Sequence, residues 1–289
     1  MSAPTETPPA AGDLAGRIAL LGLRSDDRSS FLRGPAEAPP KIRWALHNGS
    51  SHWTSETGVD LEADGRLVDL GDRAIGESDE EYLGIEGHVA DVLARGARPL
   101  VLGGDHAVTY PALRAVAAQG GPVDILHFDA HSDLYDRFEG SPYSHACPFA
   151  RIMEEGLARR LVQVGVRTTN ARQKAQAERF GVEVHEMRGF DVARFEPRFD
   201  GPLYVSFDMD SLDPAFAPGV SHHEPGGLSV RDVLDILHRV EAPIVGADVV
   251  EFNPRRDVHD MTAAVAAKMV RELAALMLLN GLPSAPVRA

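Results

Sequence analysis

Residues 123–133 read VDILHFDAHSD, a continuous apolar run of strand length that leads directly into a segment rich in carboxylates. An unbroken apolar run is typical of a strand in a sheet that is covered on both faces, whereas a half-exposed strand alternates. Seven further candidate strands lie outside this segment, and most of them have the same character. They span residues 17–23, 66–70, 99–102, 161–166, 182–186, 203–207 and 244–250.

Helical patterns lie between these runs. Ser229 is followed three residues later by Asp232, a capping-box pattern that predicts a helix start, and apolar residues follow at helical spacing. A second helix is predicted from about residue 260 to 279, because Asn280 and Gly281 are stop signals. Alternating strands and helices indicate an α/β fold, with a mostly parallel sheet between two layers of helices. Residues 17–289 are predicted to form one domain, preceded by a disordered tail over residues 1–16.

The composition excludes several classes of protein. Among 289 residues, 29 Lys and Arg stand against 43 Asp and Glu, which gives a net charge of −14. So acidic a chain, with no basic cluster, does not suit a nucleic-acid backbone or an anionic membrane surface. The single cysteine, Cys147, rules out an intramolecular disulfide and suits a reducing compartment. A cytoplasmic protein with no nucleic-acid or membrane partner is therefore expected.

Three predicted strands end in polar side chains that could bind a ligand, because open parallel sheets bind ligands beyond the carboxyl ends of their strands. An extended backbone after residue 128 would place three of these side chains on one face. Paired glycines at 103 and 104 are expected to permit a tight turn before the first of them. The ligand-type side chains at the three ends are His106; Asp129, His131 and Asp133; and Asp208 and Asp210.

If these strand ends are adjacent, four aspartates lie too close together for all of them to stay ionised. Two divalent cations would balance four negative charges, and two histidines would add one imidazole ligand per metal. Oxygen-rich ligation without a thiolate favours Mn²⁺, and Ni²⁺, Co²⁺, Fe²⁺ or Zn²⁺ also fit by geometry. A single Asp-x-Asp pair is more often a turn or a helix cap, but three such strand ends together favour a binuclear metal site.

Three stretches of the sequence resemble the signature motifs of the ureohydrolases, the family of arginases and agmatinases. They read GGDHAVTYP (103–111), DAHSD (129–133) and SFDMDSLDPAFAPGV (206–220), and the resemblance extends from residue 30 to 279. The plant-type arginases are the branch that the chain resembles best. The resemblance implies a three-layer αβα sandwich around a largely parallel eight-stranded sheet. It also implies a homo-oligomer, such as a trimer or hexamer.

Residue by residue, the resemblance implies two metal sites that share two bridging aspartates. One metal would be held by His106, Asp129, Asp133 and Asp208, and the other by Asp129, His131, Asp208 and Asp210. Two metals that share a water lower its pKa to about 7 and so supply a nucleophile at neutral pH.

The resemblance also implies roles for residues around the metals. Glu251, after the run 244–250, matches the carboxylate that binds the guanidinium group, and His145 matches the histidine that shuttles a proton to the leaving amine. Together with Asp133 they are the predicted catalytic residues. Ser141 and His222 are candidates for binding the rest of the substrate, with an ordinary loop histidine as the alternative for His222.

Four nearby residues have other interpretations. His127 is predicted to be a hydrogen-bonded core histidine, and Cys147 a buried thiol with no catalytic role. Asp105 and Asp213 flank ligands and are candidates for orienting them.

The expected reaction is hydrolysis of L-arginine to L-ornithine and urea. Hydrolysis of agmatine to putrescine and urea, or of another small guanidino compound, remains open, because residues 134–144 and 168–170 depart from the arginase pattern. A metal-dependent deacetylase and a non-enzymatic homologue are more distant alternatives, and the complete set of metal ligands argues against both.

Overall fold

A computed structural model describes residues 14–281 of the chain, so residues 1–13 of the predicted tail lie outside the described part. All eight apolar runs are strands of one sheet, and every pair of neighbours in it is parallel. The strands are β1 (Ile18–Arg24), β2 (Leu67–Ala74), β3 (Arg98–Leu102), β4 (Val123–Phe128), β5 (Ala158–Val166), β6 (Glu183–Glu186), β7 (Leu203–Asp208) and β8 (Ile244–Val250).

Helices lie in every connection between consecutive strands except the one from β6 to β7, as is usual for a parallel sheet. They are α1 (Ala38–His47), α2 (Leu61–Asp64), α3 (Asp79–Leu83), α4 (Ile85–Ala94), α5 (Thr109–Gly120), α6 (Pro148–Glu154), α7 (Ala171–Phe180), α8 (Val230–Leu237) and α9 (Met261–Leu279). Short 3₁₀ turns lie at Pro35–Glu37, His106–Val108, Met209–Ser211 and Pro254–Arg256. The predicted capping box is present at α8, where Ser229 and Asp232 exchange side-chain and backbone hydrogen bonds.

Both faces of the sheet are buried, which confirms the three-layer architecture. Ile18 and Leu20 of β1 pack in one apolar cluster, with side chains of α1, α8 and α9. The alternate residues Ala19 and Leu21 pack in a second cluster, with α4, α5 and α6. This alternation explains the continuous apolar runs, because each face of a strand meets a layer of helices.

The strand order places the functional residues at one edge of the sheet. The order is β2-β1-β3-β8-β7-β4-β5-β6, so the last two strands of the chain insert between β3 and β4. Phe128 pairs with Phe207, and Phe207 pairs with Val249, so these central strands end at the same level. The segments that follow β3, β8, β7 and β4 are therefore neighbours, beyond the carboxyl ends of four adjacent strands.

Within residues 14–281, no helix combines the length and the apolar character that crossing a bilayer requires.

Candidate active site

The segments after β4 and β7 bend where the sequence predicted an extended backbone. Strand β4 ends at Phe128, and Asp133 has a φ of 49°. The side chain of Asp129 accepts a hydrogen bond from the backbone N–H of His131 at 2.6 Å, and Asp208 accepts one from Asp210 at 2.7 Å. The expectation of an alternating face is therefore wrong in detail. Each first aspartate turns the chain and so brings the next predicted ligand, His131 or Asp210, back toward the sheet.

The paired glycines before His106 serve close packing, and neither has a positive φ. A Cβ atom at Gly104 would lie 1.6 Å from the carbonyl oxygen of Ser25, and one at Gly103 would lie 2.5 Å from Val250 Cγ1. The predicted tight turn is thus not the reason for these glycines. They allow the end of β3 to approach its neighbours closely enough to place His106 inside the cluster.

The predicted ligands converge around the ring of His106. Its Nδ1 atom lies 3.1 Å from Asp129 Oδ2, 3.2 Å from Asp133 Oδ2 and 3.1 Å from Asp208 Oδ2. The ring is fully buried, and Nδ1 makes no hydrogen bond in the described part of the chain. Nδ1 is therefore almost equally distant from three carboxylate oxygens and is not paired with any one of them.

The hydrogen bond on the opposite side of the His106 ring determines which ring nitrogen carries the proton. His106 Nε2 lies 2.9 Å from Ser206 Oγ, whose hydroxyl donates to Asp248 Oδ1 at 2.7 Å. Since the serine proton is committed to Asp248, its oxygen accepts from His106 Nε2–H. The lone pair of a neutral His106 is therefore on Nδ1, facing the carboxylates. Asp248 is held in turn by the hydroxyls of Thr109 and Tyr204.

A second group of ligands adjoins the first. His131 Nδ1 lies 3.3 Å from Asp129 Oδ1 and 3.2 Å from Asp210 Oδ2. The two oxygens of Asp129 thus face the two histidines, one each. This is the arrangement expected of a carboxylate that bridges two metals.

The pKa values of the cluster are shifted in the direction expected where negative charges are crowded together. Burial and the charges of Asp210 and Asp129 raise the pKa of Asp208 well above its ordinary value. Burial lowers the pKa of His106, but the three carboxylates close to its Nδ1 atom, those of Asp129, Asp133 and Asp208, outweigh it and raise that pKa well above its usual range. Burial likewise opposes the rise in the pKa of His131, which Asp210 and Asp129 impose.

The donor set fits divalent cations. Adjacent ligand atoms about 2.1–2.2 Å from an octahedral cation are about 3.0–3.1 Å apart, close to the distances around His106 Nδ1. An orphaned, buried imidazole nitrogen among carboxylates is explained by a metal ion at that point. All six predicted ligands are brought together: His106, Asp129, His131, Asp133, Asp208 and Asp210.

Glu251 and His145 lie beside the cluster and contact each other. His145 Nδ1 is 2.9 Å from Glu251 Oε1, which also accepts a hydrogen bond from the backbone N–H of His106 at 2.9 Å. Burial lowers the pKa of His145, but the hydrogen bond and charge of Glu251 outweigh it and raise the pKa to about 9. The backbone of Glu251 has a φ of 62°, and such strain is tolerated where the site fixes the residue.

Ser30 is a site residue that the sequence analysis did not identify. Its hydroxyl lies 2.9 Å from His145 Nε2, on the side of the ring opposite Glu251. It precedes His145 by 115 residues, and no local pattern links the two positions.

Arg167 was also missed, although it holds a loop of the site in place. Its guanidinium group donates to five backbone carbonyl groups, including those of Asp210 and Glu224, each at 2.7 Å. These bonds fix the segment that carries Asp210, a predicted metal ligand, at one end and His222 near the other. Asp213 supports the same loop by accepting from the backbone N–H groups of Gly226 and Ala215.

A cavity of about 250 Å³ opens onto the cluster. Asp133, His145 and Glu251 line its inner end, together with His222, whose ring centre is 5.3 Å from that of His145. The predicted position of His222 in the pocket therefore agrees with the structure. The outer end is lined by uncharged side chains, those of Tyr135, Phe138, Thr168, Thr169, Asn170 and Gln173.

The remaining candidates lie around this cavity without lining it. Ser141 sits in a turn closed by Phe138, and its hydroxyl accepts a hydrogen bond from the backbone of Tyr143. Cys147 is buried, and burial raises the pKa of its thiol to about 12, which does not suit a nucleophile. Asp105 accepts hydrogen bonds from the backbone N–H groups of Arg28 and Ala107 and so holds the chain on either side of the cluster.

Carboxylate and imidazole donors at the carboxyl ends of a covered parallel sheet are typical of one class of protein, the metal-dependent hydrolases with a three-layer αβα fold. The sequence model described as the Arginase family matches residues 16–276. The chain belongs to the arginase family.

Similar proteins agree with this assignment. "Arginase 1, mitochondrial" from Arabidopsis thaliana is 52% identical over 282 residues, covering 91% of this chain and 82% of that protein. The solved structure of arginase from Medicago truncatula has a TM-score of 0.85 and 49% identity, covering 92% of this chain and 89% of that one. A guanidinopropionase from Pseudomonas aeruginosa is 37% identical over 295 residues, covering 96% of this chain and 90% of that protein.

The comparisons confirm the predicted ureohydrolase resemblance and the hydrolase class, and they contradict one prediction. The arginases from Arabidopsis thaliana and Medicago truncatula are named mitochondrial, and this contradicts the expected cytoplasmic location. The expectation rested on a single cysteine and an acidic composition. Neither feature distinguishes one reducing compartment from another.

Proposed function

We propose that the protein hydrolyses L-arginine to L-ornithine and urea at a centre of two divalent cations, with Mn²⁺ as the favoured metal. The observation that carries the proposal is the orphaned Nδ1 of His106 among three carboxylate oxygens. His106, Asp129, Asp133 and Asp208 would hold one cation, and Asp129, His131, Asp208 and Asp210 the other. When bound, the cations would lower the pKa of water and supply a nucleophile at neutral pH.

Glu251 orients the guanidinium group of the substrate. One of its carboxylate oxygens is occupied by His145 and by the backbone N–H of His106. The other makes no hydrogen bond within residues 14–281 and is available for the substrate. The burial of Glu251 makes a charge-assisted bond stronger than it would be in water, and the pair fixes the plane of the reacting carbon.

His145 delivers the proton that the leaving amine needs. Its Nδ1 is anchored on Glu251, and its Nε2 faces the hydroxyl of Ser30 at the wall of the cavity. A serine hydroxyl both accepts and donates, so Ser30 can pass a proton between His145 and water in the cavity. Cations nearby would lower the pKa of His145 from about 9 toward the range in which it both gives and takes a proton.

The outer end of the cavity favours arginine over agmatine. All acidic residues that line the cavity, Asp133, Asp208, Asp210 and Glu251, lie at the inner end, so the second amine of agmatine would find no carboxylate. Helix α7 begins at this outer end, with Asn170 as its N-cap. Its N-terminus, with the amide of Gln173, suits the α-carboxylate that arginine carries and agmatine lacks. His222 lines the path between the two ends.

The assembly is proposed to be a homo-oligomer, a trimer or a hexamer, on the strength of the family resemblance.

The test is a urea-release assay on protein loaded with Mn²⁺, using L-arginine, agmatine, 4-guanidinobutyrate and free guanidine in parallel. Metal content is measured on the same samples, and the Asp210→Asn variant is the matched inactive control. We expect two metal ions per chain and the highest kcat/KM with L-arginine. A higher kcat/KM with agmatine would overturn the substrate assignment, and urea release without bound metal would overturn the mechanism.

A further inference from the structure

His127 lies at the centre of a buried hydrogen-bonded chain that the proposed reaction does not use. It is on β4, two residues before Asp129, and is fully buried. Its Nε2 is 2.9 Å from Asp129 Oδ2, and its Nδ1 is 2.9 Å from the side-chain Nε2 of Gln163. Gln163 is the residue of β5 that pairs with His127 in the sheet. The ring of His127 stacks on Phe149, with centroids 3.9 Å apart.

The orientation of the Gln163 amide follows from a second contact. Its Nε2 donates to the backbone oxygen of Ser132 at 2.7 Å. A flipped amide would bring two acceptor oxygens together at this distance, so the nitrogen must face Ser132. Its other N–H then donates to His127 Nδ1. Oε1 of Gln163 is buried without a partner in the described part of the chain. No hydrogen bond to this oxygen therefore orients the amide, and the two bonds that Nε2 donates decide its orientation.

This orientation determines the tautomer of His127. Because Nδ1 accepts a hydrogen bond, the proton of the neutral ring is on Nε2, and Nε2–H donates to Asp129 Oδ2. The nitrogens of His127 and His106 and an oxygen of Asp129 are close enough together to resemble a set of metal ligands. A protonated Nε2 has no lone pair to offer a cation, so His127 does not ligate the metal.

The bond from His127 reaches an oxygen that matters for the metals. Asp129 Oδ2 also lies 3.1 Å from His106 Nδ1, whereas Oδ1 faces His131. With the other tautomer, a lone pair on Nε2 would face the lone pairs of Oδ2 at 2.9 Å. The carboxylate would rotate away, and the bridge between the two sites would lose its orientation.

We infer that Gln163 and His127 are positioning residues of the metal centre: Gln163 fixes the Nε2–H tautomer of His127, and that N–H holds the bridging carboxylate of Asp129. The inference rests on the proposed pair of cations. The metal centre would then depend on a residue outside the motif DAHSD, because Gln163 belongs to the neighbouring strand β5.

The first test reads the tautomer directly. Metal-free protein labelled with ¹⁵N-histidine is examined by two-bond ¹H–¹⁵N NMR at alkaline pH, and His127 is assigned from the resonances lost in His127→Gln. We expect the proton on Nε2 in the wild type, and on Nδ1 in Gln163→Glu, whose carboxylate only accepts. A wild-type proton on Nδ1 would overturn the inference, whether or not the protein binds metal.

The second test measures Mn²⁺ binding by calorimetric titration of the metal-free variants, with their thermal unfolding recorded alongside. His127→Leu is expected to lower the affinity for one Mn²⁺ by about 10–100-fold, whereas His127→Gln, which keeps an N–H near the same place, recovers most of it. Gln163→Met should weaken binding about 10-fold. Gln176→Met is the matched control and should change nothing, because Gln176 is a buried glutamine that accepts a hydrogen bond from Arg179, away from the metal centre.

Unchanged affinity in both His127→Leu and Gln163→Met would overturn the inference. Equal losses in His127→Leu and His127→Gln would do the same, because a merely structural ring would explain them. Wild-type protein that binds no Mn²⁺ would instead refute the proposed function, and the NMR result would still decide the tautomer.

Discussion

Asp208→Asn should have opposite effects on the metal-free and the metal-loaded protein. The substitution keeps the shape of the side chain and removes one negative charge from the cluster. The Oδ1 atom of the asparagine would still accept the hydrogen bond from the backbone N–H of Asp210. Any change in stability therefore reports chiefly on charge.

The expected size follows from the geometry. The oxygens of Asp129, Asp133 and Asp208 each lie within 3.2 Å of one nitrogen, so no two are more than about 6.4 Å apart. Two like charges at about 6 Å repel by about 3 kcal/mol at an effective dielectric constant of about 20. This repulsion can destabilise the folded protein by no more than the free energy of protonating Asp208 at pH 7, about 4 kcal/mol, because protonation would remove the charge. Asp208→Asn should thus stabilise the metal-free protein by about 2–4 kcal/mol.

The pH dependence of stability is a separate reason to expect that Asp208→Asn stabilises the metal-free protein. Burial and the charges of Asp210 and Asp129 raise the pKa of Asp208 in the folded protein, so the folded state binds more protons than the unfolded chain. The stability of the metal-free wild type should therefore fall as the pH rises from about 4 through the folded pKa, and this part of the slope should vanish in Asp208→Asn.

The assay is thermal unfolding of protein stripped with a chelator, between pH 5 and 8, repeated with Mn²⁺. At pH 7 the metal-free variant should melt at least about 4 °C above the metal-free wild type, at roughly 2 °C per kcal/mol. With Mn²⁺ the order should reverse, because the variant has lost a bridging ligand. Asp124→Asn, a buried aspartate at the other end of β4 paired with Arg159, is the control and should show no such reversal. A metal-free Asp208→Asn that melts below the wild type would refute the electrostatic reasoning.

Four further substitutions test the roles of single residues. Asp210→Asn should remove one of two bound metals and lower turnover by orders of magnitude; normal activity with both metals present would contradict its role as a ligand. His145→Ala should lower kcat by about 10²–10⁴-fold at unchanged metal content, and loss of metal in this variant would argue against a proton shuttle. Glu251→Gln should reduce kcat/KM for guanidino substrates by about 10–100-fold, the value of a hydrogen bond to a charged group, and an unchanged kcat/KM would dismiss the assignment. Ser30→Ala should lower kcat about 10-fold and alter its pH profile with little effect on KM, whereas a change in KM alone would indicate that Ser30 binds substrate instead.

The strands were predictable because their pattern is local. A strand that is buried on both faces shows as an apolar run, which is how the central strands were found. All eight predicted strands are present, with ends that differ by a few residues, although the edge strands β2 and β6 are partly exposed. The capping box at Ser229 was equally visible, since its two partners lie three residues apart. The ligand set followed from the motifs and the family resemblance together.

Other features were not predictable from local patterns. Nothing in residues 129–133 shows that Asp133 adopts a left-handed backbone, or that Asp129 turns the chain onto His131. The need for glycine at position 104 is visible only in the tertiary structure, where the ends of two strands come together and Ser25 leaves no room for a side chain.

By itself, the sequence determined the inventory of this protein: eight strands, the polar residues at their ends, and a supply of carboxylate and imidazole donors that suits hard divalent cations. The tertiary structure alone decided which of these meet. The insertion of β7 and β8 between β3 and β4 places Asp208 and Glu251 beside Asp129 and His106. The same packing sets Ser30 against His145 and Gln163 against His127. Strand order is settled by the packing of two helical layers over the whole sheet, and the periodicity of a single segment carries no information about its neighbours.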